Sequence, residues 1–254
     1  MIFVSAGTKD GRELAGYLLQ QGYEVVASVV SQYGEKLLEQ YQGIKINCQP
    51  LDAAGFLAYF ESHNIELFVD ASHPYAANAS INAMEACKRA GIPYIRYERQ
   101  QTPLDYDKAF YVESYQQAAA KAAELGEHIF LTTGSRNLEA FARAREMAGR
   151  HIVCRVLPEP EIIAMAQKLG FTPGDIVAMQ GPFSLELNKE LFKKYQAQVV
   201  VTKNSGSTGG TDTKFQAAME LSLPLVIIDR PKMDYAQKAE SFEQVLNFVK
   251  KELG

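Results

Sequence analysis

Cysteine is scarce in this chain. The three present in 254 residues, Cys48, Cys87 and Cys154, are odd in number, far apart and set in apolar surroundings. That argues against both a disulfide frame and a thiolate zinc site, and no metal-ligating set is expected elsewhere. Long apolar runs are missing as well: nothing approaches the ~20 residues of a membrane span. The opening Met1-Ile2-Phe3-Val4-Ser5-Ala6-Gly7 lacks the basic flank and apolar stretch of a secretory signal, so a cytoplasmic chain without a membrane partner is expected. There is no basic excess either. With 26 Lys and Arg against 30 Asp and Glu, the net charge of -4 argues against nucleic acid as a partner. Two phosphate motifs are absent too: no G-x-G-x-x-G follows the first apolar run, and no G-x-x-x-x-G-K-[ST] occurs, which makes ATP hydrolysis a poor expectation.

What is present is alternation. Short β-branched runs at 1–6, 24–30, 44–49, 66–71 and 92–97, then at 128–133, 151–157, 175–180, 197–202 and 223–229, are separated by helical patterns such as 11–20, 78–90, 116–125 and 159–169. This predicts an α/β protein with mostly parallel sheets. Because open sheets rarely exceed about ten strands, two Rossmann-like domains with an interdomain cleft are expected, 1–108 and 109–254. The join falls in the polar segment around Pro103; an extended 109–113 and a helix at 242–251 could belong to either half.

The chemistry-bearing residues follow the strands, at the edge where parallel sheets bind ligands. After the first strand, Gly7 permits a close turn, Thr8 suits a helix cap or a phosphate contact, and Arg12 is a possible phosphate partner. After the second, around Ser28, no acidic residue stands where NAD-preferring folds usually hold the ribose, so NADPH is permitted and somewhat favoured if a nicotinamide nucleotide binds. The fourth strand runs into Asp70-Ala71-Ser72-His73-Pro74-Tyr75-Ala76, with Pro74 suited to the first helical position. There His73 either donates to a phosphate, acts as an acid, or locks the turn. Arg96 and Arg99 end the fifth strand, and one of them is expected to meet a ligand carboxylate or phosphate, the other reading being pairing with Glu98 or Asp105.

In the second half, Thr132-Thr133-Gly134-Ser135-Arg136 supplies hydroxyls and a cation, and Arg155 adds another. Met179-Gln180-Gly181-Pro182-Phe183-Ser184 offers an amide and an aromatic face. Lys203-Asn204-Ser205-Gly206 opens a loop whose Gly206, Gly209 and Gly210 leave backbone N–H groups accessible, as in phosphate nests. A large polyanionic ligand is expected.

These residues in this order resemble the precorrin-6A reductases of vitamin B12 ring synthesis, over nearly the whole length. The resemblance rests on Gly7-Thr8 with Gly11-Arg12, Asp70 to Ala76, Ile95-Arg96-Tyr97-Glu98-Arg99, Thr133-Gly134, Arg155-Val156-Leu157-Pro158, Met179 to Phe183, Thr202-Lys203 with Ser205-Gly206 and Gly209, Lys214, and Arg230-Pro231. The chain departs from the family at Asn204, often Asp, and at Gln100, often Pro. The resemblance implies hydride transfer from NADPH, or in some members NADH, to carbon-19 of a tetrapyrrole, with a proton added at carbon-18. On the chemistry of the loops, the dinucleotide is expected on Gly7, Thr8, Arg12, Ser28, Ser72 and His73. The macrocycle is expected on Arg96, Arg99, Thr133, Gly134, Arg155, Gln180, Gly181, Lys203, Ser205, Gly206 and Arg230, with Lys203, His73 or water as proton donor. A nucleotide-sugar transferase and a non-catalytic tetrapyrrole carrier are the competing readings.

Overall fold

A computed structural model describes residues 1–206 and 210–254; Ser207, Thr208 and Gly209 lie outside the described residues. The chain runs β1 (Ile2–Ser5), α1 (Lys9–Gln20), β2 (Val25–Ser28), α2 (Gln32–Leu38), β3 (Lys45–Asn47), α3 (Ala53–His63), β4 (Leu67–Asp70), α4 (Ala77–Ala90) and β5 (Tyr94–Tyr97). It continues through β6 (Ala109–Val112), α5 (Tyr115–Leu125), β7 (His128–Leu131), α6 (Leu138–Ala142), β8 (His151–Val156), α7 (Pro160–Lys168), β9 (Ile176–Ala178), α8 (Leu185–Lys194), β10 (Val199–Lys203), α9 (Thr211–Glu220), β11 (Leu225–Ile228), β12 (Lys238–Ala239) and α10 (Phe242–Leu253).

Among the described residues these strands build two six-stranded sheets, ordered β12-β5-β4-β1-β2-β3 and β6-β11-β10-β7-β8-β9. Every pairing is parallel. Both orders are doubly wound, and both reverse beside the central strand, between β1 and β4 and between β7 and β10, which is where such sheets bind ligands. Ile2, Phe3 and Val4 are all buried because helices cover both faces of the sheet. On one face Leu14 and Leu18 of α1 meet Val4, Val69 and Ile95. On the other, Phe3 stacks on Phe68 with ring centroids 5.2 Å apart and takes the edge of Phe56. In the second unit Phe130, Val200 and Ile227 pack with Phe192 and Phe215. No helix among the described residues is long and apolar enough to cross a membrane.

The units are Met1–Gln100 with Pro231–Gly254, and Gln101–Arg230, which corrects the expected division at 108. Residues 101–108 join the second unit because Leu104 and Tyr106 pack on its core and the Tyr106 hydroxyl donates to Leu223 O at 3.0 Å. Residues 231–254 return to the first: β12 pairs with β5, and Val245, Leu246 and Val249 of α10 enter the core around Leu14 and Val69. An amphipathic helix records in its sequence that it covers a sheet, not which one.

Candidate functional site

Helix starts in this chain are mostly closed by side chains. Thr8, Ser31, Asp52, Ser114, Ser184 and Ser241 each accept the backbone N–H three residues on, a cap that contributes about 1 kcal/mol. The helices that follow the two most polar loops lack such a cap: α4 begins after Ala76 and α9 after Gly210. Their first N–H groups favour negative charge.

At the first sheet, the Thr8 hydroxyl accepts from Gly11 N at 2.9 Å and donates to Ala71 O at 3.2 Å, so it serves the fold. Gly11 sits where a Cβ would come within 2.9 Å of Ala71 O, and glycine lets α1 approach the strand ends that closely. Gly7 is exposed, with no atom within 4 Å of where a Cβ would stand. Arg12 is half-buried on the first turn of α1. Ser28 ends β2 and accepts from Asn47 Nδ2 at 3.0 Å.

The loop after β4 is set by a buried network. Arg96, 1% exposed, donates to Asp70 Oδ1 at 2.8 Å, Ser72 Oγ at 3.0 Å and Ser72 O at 3.1 Å. Ser80 and Tyr94 hydroxyls donate to the other Asp70 oxygen at 2.6 and 2.7 Å. Burial alone would raise the Asp70 carboxyl; Arg96 and these hydroxyls outweigh it and hold it below its usual range. Arg96 Nε also lies 3.7 Å from Glu98 Oε2, the pairing named above as its other reading, so Arg96 braces the fold. Arg99 pairs with Asp10, a partner that sequence reading did not identify. His73 Nδ1 accepts Tyr75 N at 3.2 Å, and His73 O accepts Ala76 N, so the ring locks a turn. That turn contains Pro74 and displaces it from the helical position expected for it, because α4 starts only at Ala77.

In the second unit the charges of Arg155 and Lys203 both act on buried Lys214. The Arg155 guanidinium lies 3.9 Å from the Phe183 ring centroid and donates to Asn188 Oδ1 at 2.8 Å. Burial draws Arg155 down to about 10. Lys203, at the end of β10, is brought down to about 8 by burial and by Arg136. Lys214, buried on α9, is brought down to about 7 by burial, then by Arg155 and Lys203. Neither Arg155 nor Lys214 has an ion-pair partner among the described residues. Lys214 was quoted in the family resemblance yet given no role there. Its signal was a lysine beside Phe215, Ala217 and Ala218 on a face that is otherwise apolar.

Around this cluster, Thr133 Oγ1 is buried with no hydrogen-bond partner, beside Gly134 at φ +79°. Asn204 exchanges hydrogen bonds with Thr102, donating to its O at 2.9 Å and accepting its N–H at 3.1 Å, a pairing that uses both ends of an amide. Arg230 Nε donates to Asn204 O at 3.0 Å. Ser205 N donates to Thr211 Oγ1 at 3.2 Å, and Gly206 is buried at φ +82°. Gln180 and Gly181 are exposed beyond β9. Such a set can hold a ligand with several carboxylates, because planar and point cations together match them.

The profile of the family described as precorrin-6x reductase CbiJ/CobK matches residues 1–250. The chain is 38% identical over 248 residues to a cobalt-precorrin-6A reductase of Priestia megaterium, covering 97% of each. It is 33% identical over 251 residues to that of Methanocaldococcus jannaschii, covering 98% of this chain and 97% of the other. Among solved structures, a CobK precorrin-6A reductase superposes with a TM-score of 0.80 at 28% identity, covering 99% of this chain and 96% of that one.

Proposed function

Because the chain belongs to the precorrin-6x reductase CbiJ/CobK family, we propose that it is a cytoplasmic enzyme of cobalamin biosynthesis that reduces cobalt-precorrin-6A to cobalt-precorrin-6B. Hydride goes to carbon-19 and a proton to carbon-18 of the macrocycle. The observation that carries this reading is the group Arg155, Lys203 and Lys214: burial penalises each charge, Arg155 and Lys203 further disfavour that of Lys214, and a polycarboxylate would offset both. Each charge-assisted hydrogen bond so formed contributes about 1.5–3 kcal/mol. The acetate and propionate side chains of a tetrapyrrole supply the carboxylates. Thr133, Gly134, Gln180, Gly181, Ser205, Gly206 and Arg230 are proposed to complete the contacts, and exposed Leu157 and Met179 offer apolar surface to the ring. Of the two strand-end arginines, Arg99 is the one retained for a ligand carboxylate.

The first sheet is proposed to hold the dinucleotide on Gly7, Thr8, Arg12, Ser28, Ser72 and His73. Three observations support the fit: the open space at Gly7, the absence of a carboxylate after β2, and exposed Val30 and Tyr33 beside it. NADPH is favoured over NADH, since no carboxylate there repels a 2'-phosphate. Bound reduced nicotinamide supplies the hydride. Lys203, at about 8, still holds a proton at neutral pH and yields it more readily than an ordinary lysine. It is the proposed donor ahead of His73, whose Nδ1 is engaged by Tyr75 N.

Loss of reduced-nicotinamide absorbance, measured with cobalt-precorrin-6A and its metal-free counterpart and with each nucleotide, tests the proposal. Consumption is expected, fastest with the cobalt substrate and NADPH, and Lys203→Met is expected to raise KM. Tetrapyrrole binding with no nucleotide consumption would make the chain a carrier and overturn the reading.

A further inference from the structure

The amino ends of the second sheet carry a cluster that the proposed reduction does not use. His128 and His151 are the first residues of β7 and β8 and are partners in the parallel register, so their imidazoles leave the sheet side by side. Their Nδ1 atoms stand 3.4 Å apart, with the rings at 85°. On its far side, His151 Nε2 lies 2.8 Å from Asp175 Oδ1. A carboxylate only accepts, so Nε2 carries the proton and the neutral ring turns the Nδ1 lone pair toward His128. Asp175 is fixed in turn by Thr172, whose N and Oγ1 donate to it at 3.1 and 2.6 Å.

We propose that His128 and His151 form a two-imidazole site for a divalent transition metal ion such as zinc, with Asp175 orienting His151 and water completing the coordination. Two nitrogens bound tetrahedrally at about 2.0–2.1 Å from one zinc ion stand about 3.4 Å apart, which is the separation found. A hydrogen bond donated by a ring N–H is ordinarily nearer ~3 Å. A carboxylate on the distal nitrogen is the usual support of a metal-binding histidine, because it fixes the tautomer and raises ligand basicity. The ion has access from solvent, since the His151 side chain is 46% exposed. The neighbouring Arg150 guanidinium is engaged by Ala123 O and Glu127. No group of three ligating side chains exists among the described residues, so binding weaker than that of a closed structural zinc site is expected. The bound ion would tie the starts of β7 and β8 to the turn before β9.

Zinc chloride titrated into the untagged, full-length chain provides the test, read by calorimetry and by the imidazole proton resonances of the four histidines. One ion per chain is expected, shifting His128 and His151 and leaving His63 and His73 in place. His128→Gln and His151→Gln are each expected to weaken binding at least ~10-fold, and Asp175→Asn about 10-fold, with nucleotide consumption unchanged. Unaltered affinity in His128→Gln, or zinc shifting His63 or His73 instead, would overturn the proposal. The resonance measurement on the unmodified chain decides the matter even if a variant fails to fold.

Discussion

A lysine on the inner face of α9 obeys different rules from one on a solvated helix. Lys214 titrates at about 7 against an ordinary 10.5, driven by burial and by the charges of Arg155 and Lys203. Below pH 7 both folded and unfolded chains hold the proton, and the folded state bears the full cost of the buried charge. Between about 7 and 10.5 the unfolded chain binds more protons, so stability rises with pH. Each unit is equivalent to about 1.4 kcal/mol, which makes the gain several kcal/mol over that window. Lys214→Met is therefore expected to raise the melting temperature near pH 7, to flatten the rise of stability with pH, and to weaken tetrapyrrole binding at least ~10-fold; thermal melts across pH and a binding titration check all three. An unchanged pH profile would mean that the lysine is solvated. The same scale shows why some site residues are hard to read from sequence. Arg96 and Arg99 look alike at a strand end; Glu98, which pairs with Arg96, is legible beside it, yet the nearer carboxylate of Arg96, Asp70, and that of Arg99, Asp10, lie 26 and 89 positions away. Such a partner becomes apparent only when the sheet is assembled.

At the scale of elements, the close packing of α1 against β1 and β4 depends on Gly11. A Cβ there meets Ala71 O at 2.9 Å and Ala6 Cα at 3.0 Å, and these backbone atoms have no rotamer to adjust. Gly11→Val is expected to push the first turn of α1 outward, cost about 1–3 kcal/mol in urea unfolding, and weaken NADPH binding through the displaced Thr8 cap. A variant that loses stability and keeps its nucleotide affinity would separate α1 from the cofactor. Most elements are legible in the sequence, because strands buried on both faces carry near-continuous apolar runs and helices carry a stripe. β12 is not, since two residues with only Ala239 buried leave no pattern. The start of α4 is misread for another reason. His73 captures Tyr75 N and builds a turn where Pro74 alone predicts a helix. The cationic cluster is half legible: Lys203 and Arg155 end strands, whereas Lys214 comes from a helix interior.

For the molecule as a whole, the order of the chain and the order of the cores differ. The sixth place in the first sheet goes to β12 and in the second to β6, so residues 231–254 complete a unit that begins at Met1. The residues that do this are buried: Val245 and Val249 are fully covered and share a core with Leu14, Leu18, Val69 and Ile95. Had the expected division at 108 been right, a charge at 249 would disturb the second core. With the division found, it must disturb the first. Val249→Asp places an unpaired carboxylate in that core, with an expected cost of about 3–5 kcal/mol. Hydrogen exchange locates the damage. Amides of β4 and β5, at the centre and flank of the first sheet, should lose protection together with those of α10. Faster exchange confined to β10 and β11 would restore the division that the sequence suggests and place α10 on the second unit. The edge proposed for the nucleotide is formed by the loops that leave β1, β2 and β4, so on that proposal the same substitution should lower NADPH affinity, linking the last helix to cofactor binding through a shared core.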